Sequence, residues 1–221
     1  LMLINGIVAY DLNKGIGLNN TLPWKLSGDI NRFKKITIGN GNNAIIMGKN
    51  TWESVSFLKQ RDNLILSSSL NIHENNNNNL CKSFSNLEDI LLFCEKKHYD
   101  VIWVIGGHQI YKLFLEKELI DNLYVTFINQ KYKCDIIFPT ISEKFFLIYN
   151  QVLPEVTEKG NNTYLLLYKF AKSGLKVNYN SNEYTIHSIN CFSDNNKCVF
   201  ILQDDEYKLI KTDKNSLKII Q

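Results

Sequence analysis

Apolar positions arrive in short, nearly unbroken runs over most of the chain, at residues 3–10, 43–47, 63–67, 101–105 and 122–128, with a further strand-like run at 164–170. The first five are rich in Ile, Val and Leu and scarcely alternate with polar residues. Strands covered by helices on both faces have this look, because neither face meets water. Residues 28–37, 86–97 and 109–116 read as the intervening helices. In the second of these, Ser85-Asn86 followed by Glu88 and Asp89 makes a helix start, with carboxylates at the positive end of the helix dipole. Strand and helix in alternation predict an α/β domain with a largely parallel central sheet. The asparagine run 75–79 is expected to be a polar, mobile surface loop.

Near Ala171 the pattern changes. Short, alternating pieces follow at 175–179, 184–189, 198–203, 207–211 and 217–220, separated by turn clusters such as Ser181-Asn182 and Asp204-Asp205. Five such strands predict a small antiparallel barrel of SH3-like plan. The expected division is therefore a domain at 1–171 and a β-rich module at 172–221.

Composition narrows the classes of function. With 221 residues, 44% hydrophobic and 21% charged, the chain has the make-up of an ordinary globular protein. A net charge of +3 is too small to argue for nucleic acid or a membrane surface as partner. No apolar run approaches the length that crosses a bilayer, and residues 1–9 read as a first core strand rather than a signal peptide. The five cysteines are scattered, with no CxxC pair and no metal-ligand spacing. Reduced thiols, no metal and a cytoplasmic setting are the expectation.

Three segments carry chemistry. Residues 15–24, Gly-Ile-Gly-Leu-Asn-Asn-Thr-Leu-Pro-Trp, join a strand to a helix through a glycine- and asparagine-rich loop anchored by Trp24. Alone, the segment reads first as a surface loop whose Trp24 packs on the core, and second as a lid over a site. Asp29 follows at the start of that helix, on the rim of the apolar face made by Ile30, Phe33 and Ile36; it serves either as a helix-start charge or as an acid facing a ligand. Next, residues 44–52 end a strand in Gly48 and open a helix with Lys49, Asn50 and Thr51, a set suited to phosphate. Arg61, before another strand, is on its own most simply a surface arginine, or it could pair with a ligand carboxylate through two hydrogen bonds. Finally, residues 103–111 run from a buried strand through Gly106-Gly107 into a helix, letting backbone approach a nucleotide. This is not the GxGxxG fingerprint.

Taken together and in order, these segments resemble the dihydrofolate reductase family over roughly the first 170 residues. The matching stretches include Ile7-Val8-Ala9, Gly15-Ile16-Gly17, Leu22-Pro23-Trp24, Asp29, Phe33, Ile46-Met47-Gly48-Lys49, Thr51-Trp52-Glu53-Ser54, Arg61, Leu66-Ser67-Ser68, Ile105-Gly106-Gly107, Tyr111, Thr126 and Phe138-Pro139. The resemblance implies reduction of 7,8-dihydrofolate to tetrahydrofolate by NADPH, and inhibition by antifolates of the methotrexate or trimethoprim kind. It implies that Asp29 binds the pterin ring at N3 and its 2-amino group and favours protonation at N5. Thr126 would steady Asp29 through a water, with Leu22 and Trp24 completing the catalytic end. Ile7, Val8, Ile105 and Tyr111 would border the pterin, Phe33, Val55 and Leu58 the p-aminobenzoyl ring, and Arg61 the glutamate α-carboxylate. On the cofactor side stand Ala9, Ile16, Gly17 and Asn20 of the lid end. Gly48, Lys49, Asn50, Thr51, Leu66, Ser67 and Ser68 would follow along the cofactor. Gly106, Gly107, His108, Gln109 and Ile110 would complete that side, together with Ile105 and Tyr111. The resemblance also implies a cis peptide between Gly106 and Gly107.

Some positions depart from the family pattern. The segment before Arg61 is short and lacks proline, and Lys49 is the one clear cation for the 2′-phosphate, which lowers the expected discrimination against NADH. Asp135 stands where threonine is common, so the lid is expected to bond differently.

Residues 172–221 hold seven lysines against six acidic residues. That balance gives no reason to expect nucleic-acid binding. A stabilising role, or contact with another protein or a second copy, is the expectation. Two rival readings remain: a catalytically silent NADPH- and folate-binding protein whose module mediates interaction, and a pteridine or pyrimidine reductase of the same fold. Asp29 and Arg61 together argue against both.

Overall fold

The unbroken apolar runs lie where a sheet is covered on both faces: Ala44, Ile45, Ile46 and Met47 are all fully buried. The computed structural model describes residues 2–221. Its elements begin with β1 (Ile4–Tyr10), β2 (Gly15–Gly17), α1 (Ser27–Ile38), β3 (Ala44–Gly48), α2 (Lys49–Val55), β4 (Asp62–Leu66), β5 (His73–Asn76) and β6 (Asn79–Phe84). They continue with α3 (Leu87–Lys97), β7 (Ile102–Gly106), α4 (His108–Glu116), β8 (Asn122–Ile128), β9 (Ile136–Ile137), β10 (Phe145–Val156) and β11 (Asn162–Phe170). Helix α3 starts where its cap predicts, with the Asn86 side chain accepting from the amide of Asp89 at 2.9 Å.

The chain divides into two compact units. The first runs to Pro139 and includes Tyr149–Leu167; the second comprises Thr140–Ile148 and Tyr168–Gln221. Strands β10 and β11 thus belong to the first unit over their inner lengths and to the second at their outer ends. The large sheet has the order β10-β11-β8-β1-β7-β3-β4-β6-β5. Its centre, β8-β1-β7-β3-β4-β6, is parallel throughout. The C-terminal ends of β1, β3 and β7 therefore open side by side, where open α/β sheets place ligands.

Two expectations are corrected. The asparagine run 75–79 is not an open loop between a strand and a helix: it forms the tip of the antiparallel β5–β6 hairpin, with Asn76 paired to Asn79. Asn77 and Asn78 both take positive φ, 47° and 68°, which a tight two-residue turn demands and asparagine tolerates. Nor are all five thiols reduced. Cys191 and Cys198 are the final cross-strand pair of a hairpin in the second unit and are joined by a disulfide, whereas Cys81, Cys94 and Cys134 are free. Strand register, invisible in cysteine spacing, brings that pair together. Among the described residues no cluster of His, Cys, Asp or Glu could hold a metal, and no helix is long and apolar enough to cross a membrane.

The second unit adds β12 (Lys176–Tyr179), β13 (Asn182–Cys191), β14 (Cys198–Gln203), β15 (Leu209–Asp213) and β16 (Lys218–Ile219). They form a separate antiparallel sheet of order β15-β14-β13-β12-β16, so the last strand returns beside the first. A 3₁₀ turn, Lys214–Ser216, makes the return, capped by Asp213. This order suits the small barrel expected from the sequence, although no ladder joins β15 to β16 among the described residues. Val177, Ile186, Phe200 and Leu202 are essentially fully buried and form its core with Phe146, Ala171 and Leu217.

Candidate active site

A cleft of about 1030 Å³ opens in the first unit along the ends of β1, β3 and β7. Its walls are mainly apolar, with Ile7, Phe33, Val55, Leu58 and Ile105 among them. Two carboxylates, Asp29 and Asp135, and two long cations, Arg32 and Lys49, break that surface.

Asp29 owes its place to the segment before it. Trp24 and Leu26 are buried against Ile128, and Trp24 meets Tyr132 edge-on at 5.5 Å, which fixes the entry of α1 beside β8. In the first turn of α1, Asp29 then accepts a 2.9 Å hydrogen bond from the Thr126 hydroxyl of β8. Burial raises the Asp29 carboxyl above its ordinary value. The Thr126 bond and the nearby Arg32 work against that rise, and Glu155 adds to it. A carboxyl so placed can hold a proton nearer neutrality than a surface aspartate.

Opposite Asp29, the Tyr111 hydroxyl donates to the Ile7 carbonyl at 2.7 Å. Tyr111 is buried, and desolvation pushes its pKa far up, so it stays a donor. The Gly106–Gly107 peptide is cis. Gly106 has φ +113°, and a Cβ there would lie 2.9 Å from the Tyr111 ring. Tyr111 is pinned by its bond to Ile7, so Gly106→Ala is expected to cost about 1–3 kcal/mol of stability. Thermal unfolding would measure the loss.

The lid end is ordered by turns. Leu18 bridges Thr21 across Asn19 and Asn20, both at positive φ, and the Asn19 amide donates to Asp135 at 3.0 Å. Strand β2 pairs with β9, and residues of both border the cleft. Asp135, where the sequence led us to expect different bonding, thus holds the Asn19–Asn20 turn.

Most residues singled out from the sequence border this one cleft: Val8, Ala9, Ile16, Gly17, Asn20, Leu22, Thr51, Leu66, Gly107, His108, Gln109 and Ile110 lie on it, beside those already described. Five do not. Trp24 lies beneath the surface, and Gly106 is buried behind Gly107. Ser67 and Ser68 lie beyond β4, with the Ser67 hydroxyl 3.3 Å from that of Ser69. Arg61 is buried, its Nη1 donating to the Thr37 hydroxyl at 2.9 Å and its Nε to the Lys59 carbonyl at 2.8 Å. Sequence reasoning missed Arg32, Tyr124 and Leu165 as wall residues, and it singled out Asp135 only for its bonding to the 15–24 loop. The contribution of the three depends on which elements meet, and only for Arg32, one helical turn from Asp29, was there a local signal.

The sequence has known relatives. A family model described as dihydrofolate reductase matches residues 3–170. The chain belongs to the dihydrofolate reductase family. Among its relatives, the dihydrofolate reductase of Gallus gallus is 34% identical over 161 residues, covering 67% of this chain and 84% of the relative. The viral dihydrofolate reductase of Saimiriine herpesvirus 2 is 35% identical over 184 residues, covering 77% and 84%. That of Rattus norvegicus is 34% identical over 177 residues, covering 73% and 93%.

Membership implies a nicotinamide cofactor, and the residues present fit one. Helices α2 and α4 both begin at glycines, Gly48 and Gly107, with no side chain capping their first amides. Those amides stay available to a ligand. A Cβ at Gly48 would come within 3.0 Å of Ile110, so side-chain-free residues keep this end of the cleft open.

Proposed function

We infer that the chain reduces 7,8-dihydrofolate to 5,6,7,8-tetrahydrofolate, with NADPH as the preferred reductant. The observation that carries this reading is Asp29: a desolvated carboxyl, held by Thr126, at the edge of a long apolar cleft. A pterin presents adjacent N–H groups that a carboxylate accepts side by side, and an apolar wall suits its ring. Bound NADPH supplies a hydride for pterin C6. The protein's share is to place the ring, exclude water, and hold a proton where N5 can draw on it.

Ile7 and Ile105 would border the ring, and Phe33, Val55 and Leu58 would enclose the p-aminobenzoyl group. Arg61, with Nε and Nη1 already bonded, would turn Nη2 to the glutamate α-carboxylate. Lys49, which follows the Gly48–Leu66 register pair, would receive the 2′-phosphate, helped by Ser67 or Ser68. Charge-assisted contacts of that kind contribute about 1.5–3 kcal/mol each, so a single cation leaves NADPH preferred over NADH by a modest factor. Antifolates that present a protonated diaminopyrimidine would compete for Asp29. A cytoplasmic setting belongs to the same reading; the buried free thiols Cys81 and Cys94 suit it, and the Cys191–Cys198 disulfide does not. The second unit would serve stability or contact with a protein partner.

The test is loss of NADPH absorbance on adding dihydrofolate, repeated with NADH. Turnover with both, faster with NADPH, is expected. NADPH binding without turnover would instead make the first unit a binding module.

A further inference from the structure

Arg32 stands one turn beyond Asp29 on α1, and its guanidinium Nη1 is 3.8 Å from Asp29 Oδ1. Its other terminal nitrogen, Nη2, donates to both oxygens of Glu155 on β10, each at 2.7 Å. All three side chains are largely withdrawn from water, with 19% of Arg32, 16% of Asp29 and 13% of Glu155 exposed. Arg32 Nη1 is itself buried and has no hydrogen-bond partner. Its charge is therefore directed at Asp29 through space, in a medium where water screens it poorly.

The sequence makes room for this arrangement. A Cβ at residue 28 would collide with the Glu155 carboxylate, so Gly28 is what lets Glu155 reach the start of α1. The charged groups facing Asp29 are Arg32 from its own helix and Glu155 from β10; β8 contributes the neutral Thr126. A buried Arg–Glu pair adds little to stability, since desolvation offsets its attraction. Its place beside the acid points to another task.

We propose that Arg32, clamped by Glu155, is a positioning residue for Asp29 that sets the pH at which the acid releases its proton. With Glu155 in place, the arginine charge is shared and draws on Asp29 only in part. Without Glu155 the whole charge favours the Asp29 carboxylate; without Arg32 the carboxylate faces a like charge alone. The ion pair thereby keeps Asp29 protonated further toward neutral pH than a bare arginine would allow. The inference rests on Asp29 being the pterin-binding acid.

The experiment compares the pH profile of kcat/KM for dihydrofolate with the ¹³C carboxyl titration of Asp29 in the free protein. Both are measured for the wild type, Glu155→Gln, Arg32→Gln, the double variant and Gly28→Ala. Glu155→Gln is expected to move the alkaline limb and the titration down by about one pH unit, and Arg32→Gln to move them up by a similar amount. The double variant, which removes both members of the Arg32–Glu155 pair and so leaves neither ion without its partner, should lie slightly above wild type, because Arg32 acts on Asp29 more strongly than Glu155 does. Gly28→Ala, by displacing the Glu155 carboxylate, should follow Glu155→Gln. A merely structural pair would lower the rate by the same factor at every pH and leave all titrations in place; that result, or shifts of one sign throughout, overturns the proposal. If the wild type turns over no dihydrofolate, the functional reading fails, while the carboxyl titrations still decide the coupling.

Discussion

Asp29→Asn is expected to lower turnover of dihydrofolate by roughly 10²–10⁴-fold at neutral pH, and to raise the melting temperature of the free protein. The loss follows from the geometry. Asparagine keeps the shape and can still accept from the Thr126 hydroxyl, but it carries neither the charge that pairs with a pterin nor a proton to lend. The gain follows from the direction of the pKa shift. Asp29 is raised in the folded chain, chiefly by burial, so folding binds a proton more tightly than the unfolded chain does. Stability from this group is greatest below its unfolded pKa and declines as pH rises through the folded pKa. At neutral pH the ionised, desolvated carboxylate is a cost that asparagine removes. Steady-state rates and thermal unfolding across a pH series would check both, and the stability gain should fade in acid. A variant that lost stability at neutral pH would show that the Arg32 and Thr126 contacts outweigh desolvation.

How much of this was legible beforehand depended on what each signal measures. Strand β8 matches its apolar run residue for residue, and β1, β3, β4 and β7 match within one residue at either end. A strand buried on both faces has no choice but to be apolar throughout. Strand β10, twelve residues long, was not foreseen. It lies at the sheet edge, most of its side chains are half-buried or exposed, and it contains Pro154, so its sequence carries neither an unbroken run nor a clean alternation. In the second unit the alternation did mark all five strands, because each has one face on a core and one in water.

The site was legible for a different reason. Asp29, Gly48, Gly106 and Gly107 sit at element ends, where turn chemistry is local and can be read off a few neighbours. Arg32 and Glu155 could not be joined that way. They lie 123 positions apart, and neither has a motif of its own. Reading their pairing required knowing that the start of α1 meets β10, which is a fact of topology. The same holds for Cys191 and Cys198, whose meeting depends on the register of β13 and β14.

Deleting residues 172–221 is expected to yield a protein that unfolds at markedly lower temperature and aggregates, not a trimmed and intact reductase. The second unit does not begin at residue 172. It includes Thr140–Ile148, which precede the last stretch of the first unit, so no single cut removes it whole. Such a cut strips Phe146 of its edge-on partner Phe200, 5.5 Å away, and uncovers Ala171, now 1% exposed. It also removes the donors to the Phe145 and Ile148 carbonyls, supplied by Lys214 Nζ at 2.6 Å and the Gln221 side chain at 2.9 Å. Each lost hydrogen bond costs about 0.5–1.5 kcal/mol and an exposed aromatic about 1.5–3 kcal/mol, and several losses act at once on one short segment. Phe200→Ala, which empties the same core with the chain intact, should cost about 3–5 kcal/mol and give a graded version of the effect. Size-exclusion chromatography and thermal unfolding of both variants would read it. A truncated chain with unchanged melting and turnover would free the module from any part in stability and leave partner binding as its task; a collapsed one would tie the reductase's survival to the strands that follow it.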